Sequence, residues 1–408
     1  VKATLEDWAG LAWRQACELA RNDKIPQGAA RMNLDFSDDQ KGLQNQVRRF
    51  LAEKCPPAAV RAILEGPQPY DRDLYKGLAE LGALGVAIPE AYGGMGLSHL
   101  ELCLVAEELG RVIAPVPAAS SIYLAAEFLL HAGSEAQKQA WLPRLASGEA
   151  VGCFAFVEGQ GRMSAEKIHA AVRDGRLSGV KSPVADGDCA DVAIVAARTG
   201  SGRGDAAISL FVVDLDGPGV MRETLESIDP SRSQARLTFD GAPAELLGGE
   251  GDGWRIAEMV MDRAAILTAF EQIGGSDRAL EMARDYALER MAFGRQIGSF
   301  QAIKHILADM YVAATLARSN AYYGAWALAS GAAELPVAAA TARVSATQAF
   351  QHCAKNNIQV HGGMGFTWAF DCHLYYRRSN ALALGLGAQS TWESLLIERM
   401  RDTNTEAA

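Results

Sequence analysis

The spacing of apolar residues changes twice along the chain, and no other feature constrains the fold as strongly. From Ser37 to about Gly148 they recur three and four apart, with Leu43, Val47, Phe50 and Leu51 the clearest helical face. Ser37 ahead of Asp38, Asp39 and Gln40 reads as an N-cap with acids in the first turn. Leu74 to Leu84 and Leu100 to Val112 repeat the period. Between them, Gly85 to Gly96 holds Pro89 and three further glycines beyond its first, which predicts a shaped loop.

Around Val151 the pattern turns to strands. Cys153 to Val157 is a short apolar run, and Ala170 to Gly179 carries Asp174-Gly175 between strand-like arms, a hairpin signal. Ala193 to Ala196, Ile208 to Val213 and Arg236 to Phe239 add strands at turn-punctuated intervals, the rhythm of a β-sandwich or barrel. From Gly253 long helices return. Leu280, Ala283, Tyr286 and Ala287 line one face, Ile303 to Tyr311 the next, and Pro336 opens a third over Val337 to Lys355. The expected class is α+β: an extension over 1–31, a helical domain over 32–148, a β domain over 149–250 and a helical bundle over 253–402.

Composition narrows the function. With 39 basic against 49 acidic residues the chain carries a formal charge of −10, which argues against a global grip on nucleic acid or anionic lipid. Seven cysteines, odd in number and without a CxxC pair, point to buried thiols in a reducing, cytoplasmic setting. No apolar run approaches the roughly 20 residues that span a bilayer. No His or Cys stands at a metal-like spacing from His361, so no metal is expected, and His361 reads as a packing residue. Lys304 and His305 read as surface or interface.

Three motifs then carry a resemblance. Val86-Ala87-Ile88-Pro89-Glu90 with its run to Gly96, Arg290 to Gln301 (RMAFGRQIGSFQ), and Gln359 to Phe366 (QVHGGMGF) resemble the acyl-CoA dehydrogenase family in order and spacing, across roughly Met32 to Arg401. The resemblance implies a β domain between two helical domains, bound FAD, an acyl-CoA substrate, tetrameric assembly, and electron-transfer flavoprotein as the electron acceptor. It implies that Arg290, Phe293, Gln301, Gln359 and the backbone around Gly362 and Gly363 contact the FAD of a neighbouring subunit. Their chemistry suits such a contact. It provides a guanidinium fork for phosphate, an aromatic face, an amide that donates and accepts, and glycine for close backbone approach. Read without the family, Arg290 is a solvated helix-end charge, Phe293 is core, and Gly362-Gly363 is a helix C-cap.

The resemblance also implies that the strands Phe154 to Glu158 and Lys181 to Asp186 cradle the isoalloxazine, through Phe156, Val157, Pro183 and Ala185. Common relatives carry Thr-Glu-Pro and Trp-x-Thr there. Here the positions read Val157-Glu158-Gly159 and Pro183-Val184-Ala185, which leaves backbone N–H groups to serve the flavin edge. The departure at the base is larger. Dehydrogenation of a thioester needs a carboxylate to take the α-proton, and the two positions at which the family places it are Leu386 and Ala264. Neither accepts a proton. Asp262, Glu271, Asp371 and Glu393 are the acids nearest in sequence. Asp262 lies about 200° round a helix from Ala264, and Glu271 about two turns on.

Three functional expectations follow. The chain is a dehydrogenase with a displaced base, or a flavin-binding but catalytically silent subunit paired with a base-bearing relative in a heterotetramer of the kind that handles bulky or steroid-like acyl-CoAs. The third is a relative with different flavin chemistry, such as oxygen-dependent oxidation or hydroxylation.

Overall fold

The computed structural model describes residues 36–199 and 204–406; the expected extension over 1–31 lies outside them. Ser37 caps α1 (Asp38–Lys54): its hydroxyl accepts from the Gln40 amide while the Gln40 side chain accepts from the Ser37 N–H, so two orphan donors of the first turn are satisfied. α2 (Pro57–Glu65), α3 (Arg72–Glu80) and α4 (His99–Arg111) follow. Between α3 and α4 the glycine-rich stretch is the expected loop. Gly93 and Gly96 sit at positive φ, and a Cβ on Gly94 would lie 2.0 Å from the Ile88 carbonyl oxygen. A π-helical turn, Ala119–Ala126, runs into α5 (Glu127–Ala132), and α6 (Glu135–Ala146) closes the first helical layer.

The strands are β1 (Gly152–Ala155), β2 (Ala171–Arg173), β3 (Arg176–Ala185), β4 (Val192–Arg198), β5 (Ile208–Asp214), β6 (Val220–Leu225), β7 (Gln234–Pro243) and β8 (Glu245–Leu247). They form one sheet in the order β6-β7-β3-β2-β4-β5-β8, with β1 beside β4. Asp174 and Gly175, both at positive φ, turn the β2–β3 hairpin as their sequence predicts. β1 and β2 pair parallel to β4. The chain between β1 and β4 carries β2 and β3 and no α-helix, so this is not a βαβ unit. Val192 to Ala197 are wholly buried, which explains their unbroken apolar run.

α7 (Gly253–Glu289), α8 (Gln301–Ser330) and α9 (Leu335–His361) form the bundle, followed by α10 (Cys372–Gly385) and α11 (Gln389–Glu406). A two-stranded hairpin, β9 (Met291–Ala292) with β10 (Arg295–Gln296), joins α7 to α8. The order helices, sheet, helices is the one the periodicity predicts. α4 crosses α7 at backbone contact, because Gly110 faces the Glu271 carbonyl and Gly274 faces that of Glu107. Among the described residues, no helix is long and apolar enough to cross a membrane.

Candidate functional site

A register shift between Lys181 and Val184 near the end of β3 breaks the alternation, so that Lys181 and Val184 turn inward while Pro183 and Ala185 lie nearer the surface. Ser182 donates its N–H to the Val157 carbonyl at 2.9 Å, so the run after β1 lies directly beside the end of β3. Pro183 is exposed, while Val157 and Ala185 are half-buried, and together they make a small apolar platform with backbone polar groups at its rim. Phe156 points the other way, its ring packed on Phe154 and on Trp254 at centroid distances of 5.3 and 5.4 Å. Beneath the platform Lys181 is fully buried. Its ammonium donates to Glu158 Oε1 at 2.6 Å and to the Phe156 carbonyl at 3.2 Å, which ties the two strand segments together. Burial pulls the Lys181 pKa down to about 8, against the opposing pull of Glu158.

The second set of predicted residues collects at the far end of the bundle. Arg290 ends α7, is exposed and makes no ion pair among the described residues. Phe293, at positive φ in the hairpin, is 94% exposed, with its ring edge-on to Phe300 at 6.1 Å. Gln301 and Gln359 face solvent, and Gly362 and Gly363 have nothing within 4 Å of where a Cβ would stand. His361 is buried and stacks on Tyr286 at 4.1 Å, which places the Gln359–Gly363 turn beside the end of α7. Lys304 and His305 are exposed. A guanidinium outside any ion pair, an uncovered phenyl ring, two exposed amides and an open glycine backbone suit a phosphate-bearing aromatic cofactor.

Neither base position has changed its chemistry in three dimensions. Ala264 is fully buried in α7, and Leu386 follows α10, its carbonyl accepting from the Trp392 indole N–H at 2.9 Å. The four acids considered as substitutes are each engaged elsewhere. Asp262 faces α11 and pairs with Arg399 at 2.9 Å; burial pushes its carboxyl up to about 7, with Arg399 pulling the other way. Asp371 accepts from Arg61 at 2.7 Å, and exposed Glu393 accepts from Gln389 at 2.6 Å. Glu271 is wholly buried and accepts from Arg232 at 2.5 Å, with Arg378 3.5 Å away. Among the described residues no cluster of His, Cys, Asp or Glu suits a metal ion.

Sequence patterns did not reveal the polar groups that join the layers. Arg378 on α10 pairs with Asp229 at 2.6 Å and donates to Ser231 at 2.9 Å, and both partners lie in the β6–β7 loop. Asp186, just past the platform, is buried and accepts from Ser120 of the π-helical turn at 2.6 Å. Glu127 on α5 gathers Arg263 at 2.6 Å, His99 at 2.7 Å and His131 at 3.4 Å. Most of these partners are far apart in the chain, so no local spacing announces them.

Comparison with known proteins agrees with this fold. The N-terminal domain model of acyl-CoA dehydrogenases matches residues 37–149 and the C-terminal domain model matches residues 251–400. A Mycobacterium tuberculosis protein named acyl-CoA dehydrogenase IpdE2 is 34% identical over 351 residues, covering 85% of this chain and 92% of its own length. The structure of butyryl-CoA dehydrogenase from Megasphaera elsdenii superposes with a TM-score of 0.84 at 26% identity, covering 90% of this chain and 100% of the other. The ChsE4–ChsE5 complex from Mycobacterium tuberculosis gives 0.82 at 28% identity, covering 91% and 99%.

Proposed function

The chain belongs to the acyl-CoA dehydrogenase family of flavin-dependent oxidoreductases, and we propose that it is the base-deficient, flavin-binding subunit of a mixed assembly acting on acyl-CoA thioesters. The observation that carries this reading is the pair Leu386 and Ala264, apolar at both positions where the family keeps its carboxylate. No nearby acid substitutes readily, because Asp262, Glu271, Asp371 and Glu393 are all held by other side chains. A solved relative that is itself a complex of two differently named chains supports a mixed assembly.

FAD is the cofactor in this reading, and bound it would accept hydride from the β-carbon of the thioester. Val157, Pro183, Ala185 and the backbone beside Phe156 would support its ring. Arg290, Phe293, Gln301, Gln359, Gly362 and Gly363 would hold its phosphates and adenine. These two sets lie towards opposite ends of α7. Trp254 touches Phe156 and Tyr286 touches His361, and the helix between them rises about 48 Å. One chain's platform is therefore served by another chain's hairpin, which is the reason for assigning the cofactor to a subunit interface. Electron-transfer flavoprotein would collect the electrons. Six described cysteines are all free thiols, in keeping with a reducing cytoplasm.

The test is to purify the chain alone and co-expressed with a family member bearing Glu at one base position, then follow flavin reduction by a panel of acyl-CoAs. The lone chain should be slow and the pair fast. Leu386→Glu should raise the lone chain's rate by about 10² to 10⁴, the range for a positioned general base. Rapid reduction by the unmodified lone chain would refute the proposal and send the search for a base to Asp262, whose carboxyl burial pushes up to about 7.

A further inference from the structure

We propose that Tyr123, Arg232 and Glu271 form a polar end to the acyl site, selecting thioesters whose acyl group carries a hydroxyl about 10 Å beyond the α-carbon. This rests on the acyl-CoA reading above. Ala264 and Glu271 are seven residues apart on α7, so they face nearly the same side and differ by about 10 Å along the axis. If the thioester's α-carbon lies opposite Ala264, then Glu271 marks where the acyl group ends. Thr268, one turn along from Ala264, returns its hydroxyl to the Ala264 carbonyl at 2.8 Å and so leaves its methyl for the chain's apolar stretch.

The end itself holds unused hydrogen-bonding capacity. Glu271 spends Oε1 on Arg232, but its Oε2 is buried without a partner, as are Arg232 Nε and Tyr123 Oη. Buried polar atoms are nearly always paired, and here three that are not belong to neighbouring side chains from three parts of the fold. Tyr123 comes from the π-helical turn, Arg232 from the β6–β7 loop and Glu271 from α7. π-Helical turns are rare and frequent at functional sites.

The mixture of atoms defines the ligand. One acceptor and two donors suit a group that both gives and takes a hydrogen bond. A carboxylate would meet Glu271 and Asp186, an ammonium would meet Arg232 and Arg378, and a plain alkyl end would leave all three atoms unpaired. A neutral hydroxyl matches the set.

The experiment compares decanoyl-CoA with ω-hydroxydecanoyl-CoA, by calorimetric titration of the flavin-loaded chain. The hydroxylated thioester should bind roughly three- to tenfold tighter, as expected for a net hydrogen bond or two. Tyr123→Phe, which keeps the ring and the Arg232–Glu271 pair, should remove most of that preference. Equal affinity of the unmodified chain for both thioesters overturns this inference and leaves the acyl-CoA reading standing. A preference that survives Tyr123→Phe overturns the role of Tyr123. Failure to bind either thioester overturns the acyl-CoA reading itself.

Discussion

Replacing Gly274 by Ala tests whether α4 and α7 are held at backbone contact. An ideal Cβ at Gly274 would stand 2.0 Å from the Glu107 carbonyl oxygen and 3.0 Å from the Arg111 nitrogen, where ordinary contact begins at 3.4 Å. The obstacle is backbone in the middle of a helix, so no side chain can swing away, and the two helices must part by more than an ångström. Parting them loosens Leu102, Val105, Ala106 and Leu109 against Ile266, Phe270 and Ile273, all buried to 3% exposure or less. Overpacking of this kind costs typically 1–3 kcal/mol and occasionally more, and the separation adds lost packing beyond the immediate clash. The better helix propensity of Ala returns only about 1 kcal/mol. A net loss of about 2 kcal/mol or more is expected. Gly42 is the matched control: it is also helical, but it is exposed and has nothing within 4 Å of its Cβ position, so Gly42→Ala should stabilise by about 0.5–1 kcal/mol. Urea unfolding of both variants beside the parent gives opposite shifts in midpoint at similar slope. A Gly274→Ala midpoint at or above the parent's would refute the reasoning.

Arg378→Met should destabilise by about 3–5 kcal/mol in the same assay, because Asp229 and Glu271 are left as buried charges short of a partner; a loss under 1 kcal/mol would show that these carboxylates reach water. Asp262 predicts a pH dependence. Its carboxyl is raised from 3.8 to about 7, so between those values the folded chain holds a proton that the unfolded chain has released. Its contribution is complete below pH 4 and is lost as pH rises through 7. Asp262→Asn should flatten that part of the stability profile, and an unchanged slope would place the titration elsewhere. Arg290→Ala should lose FAD on dialysis against high salt, measured by flavin absorbance; a full flavin complement afterwards would remove Arg290 from the cofactor site.

Local signals carried much of the fold. The Ser37–Gln40 capping box, the Asp174-Gly175 hairpin and Pro336 at the start of α9 each set one backbone geometry through immediate neighbours, so each is readable in a few residues. The π-helical turn gave no such signal. Ala119 to Ala126 is almost uniformly small or apolar and wholly buried beyond its first residue, so its sequence shows no stripe from which a wider period could be inferred. Nor did the sequence show that β1 and β2 run parallel to β4, because strand direction is set by the crossing of the chain and not by alternation.

The candidate site divides in the same way, and the division bears on function. Phe293 and Arg290 were legible through a contiguous motif, and their exposure follows from the hairpin that carries them. The polar junction was not legible, because Tyr123, Asp186, Arg232, Glu271 and Arg378 meet only after all three layers have packed. Counting along α7 placed Glu271 two turns from Ala264, which argued against it as a base. The structure adds what counting could not: its carboxylate is wholly buried and paired with Arg232 at 2.5 Å. A base must reach the α-carbon, whereas Glu271 is held against Arg232 about 10 Å along α7 from Ala264. Such a residue is suited to recognising a donor group on a ligand, and the chemistry of proton abstraction has to come from elsewhere.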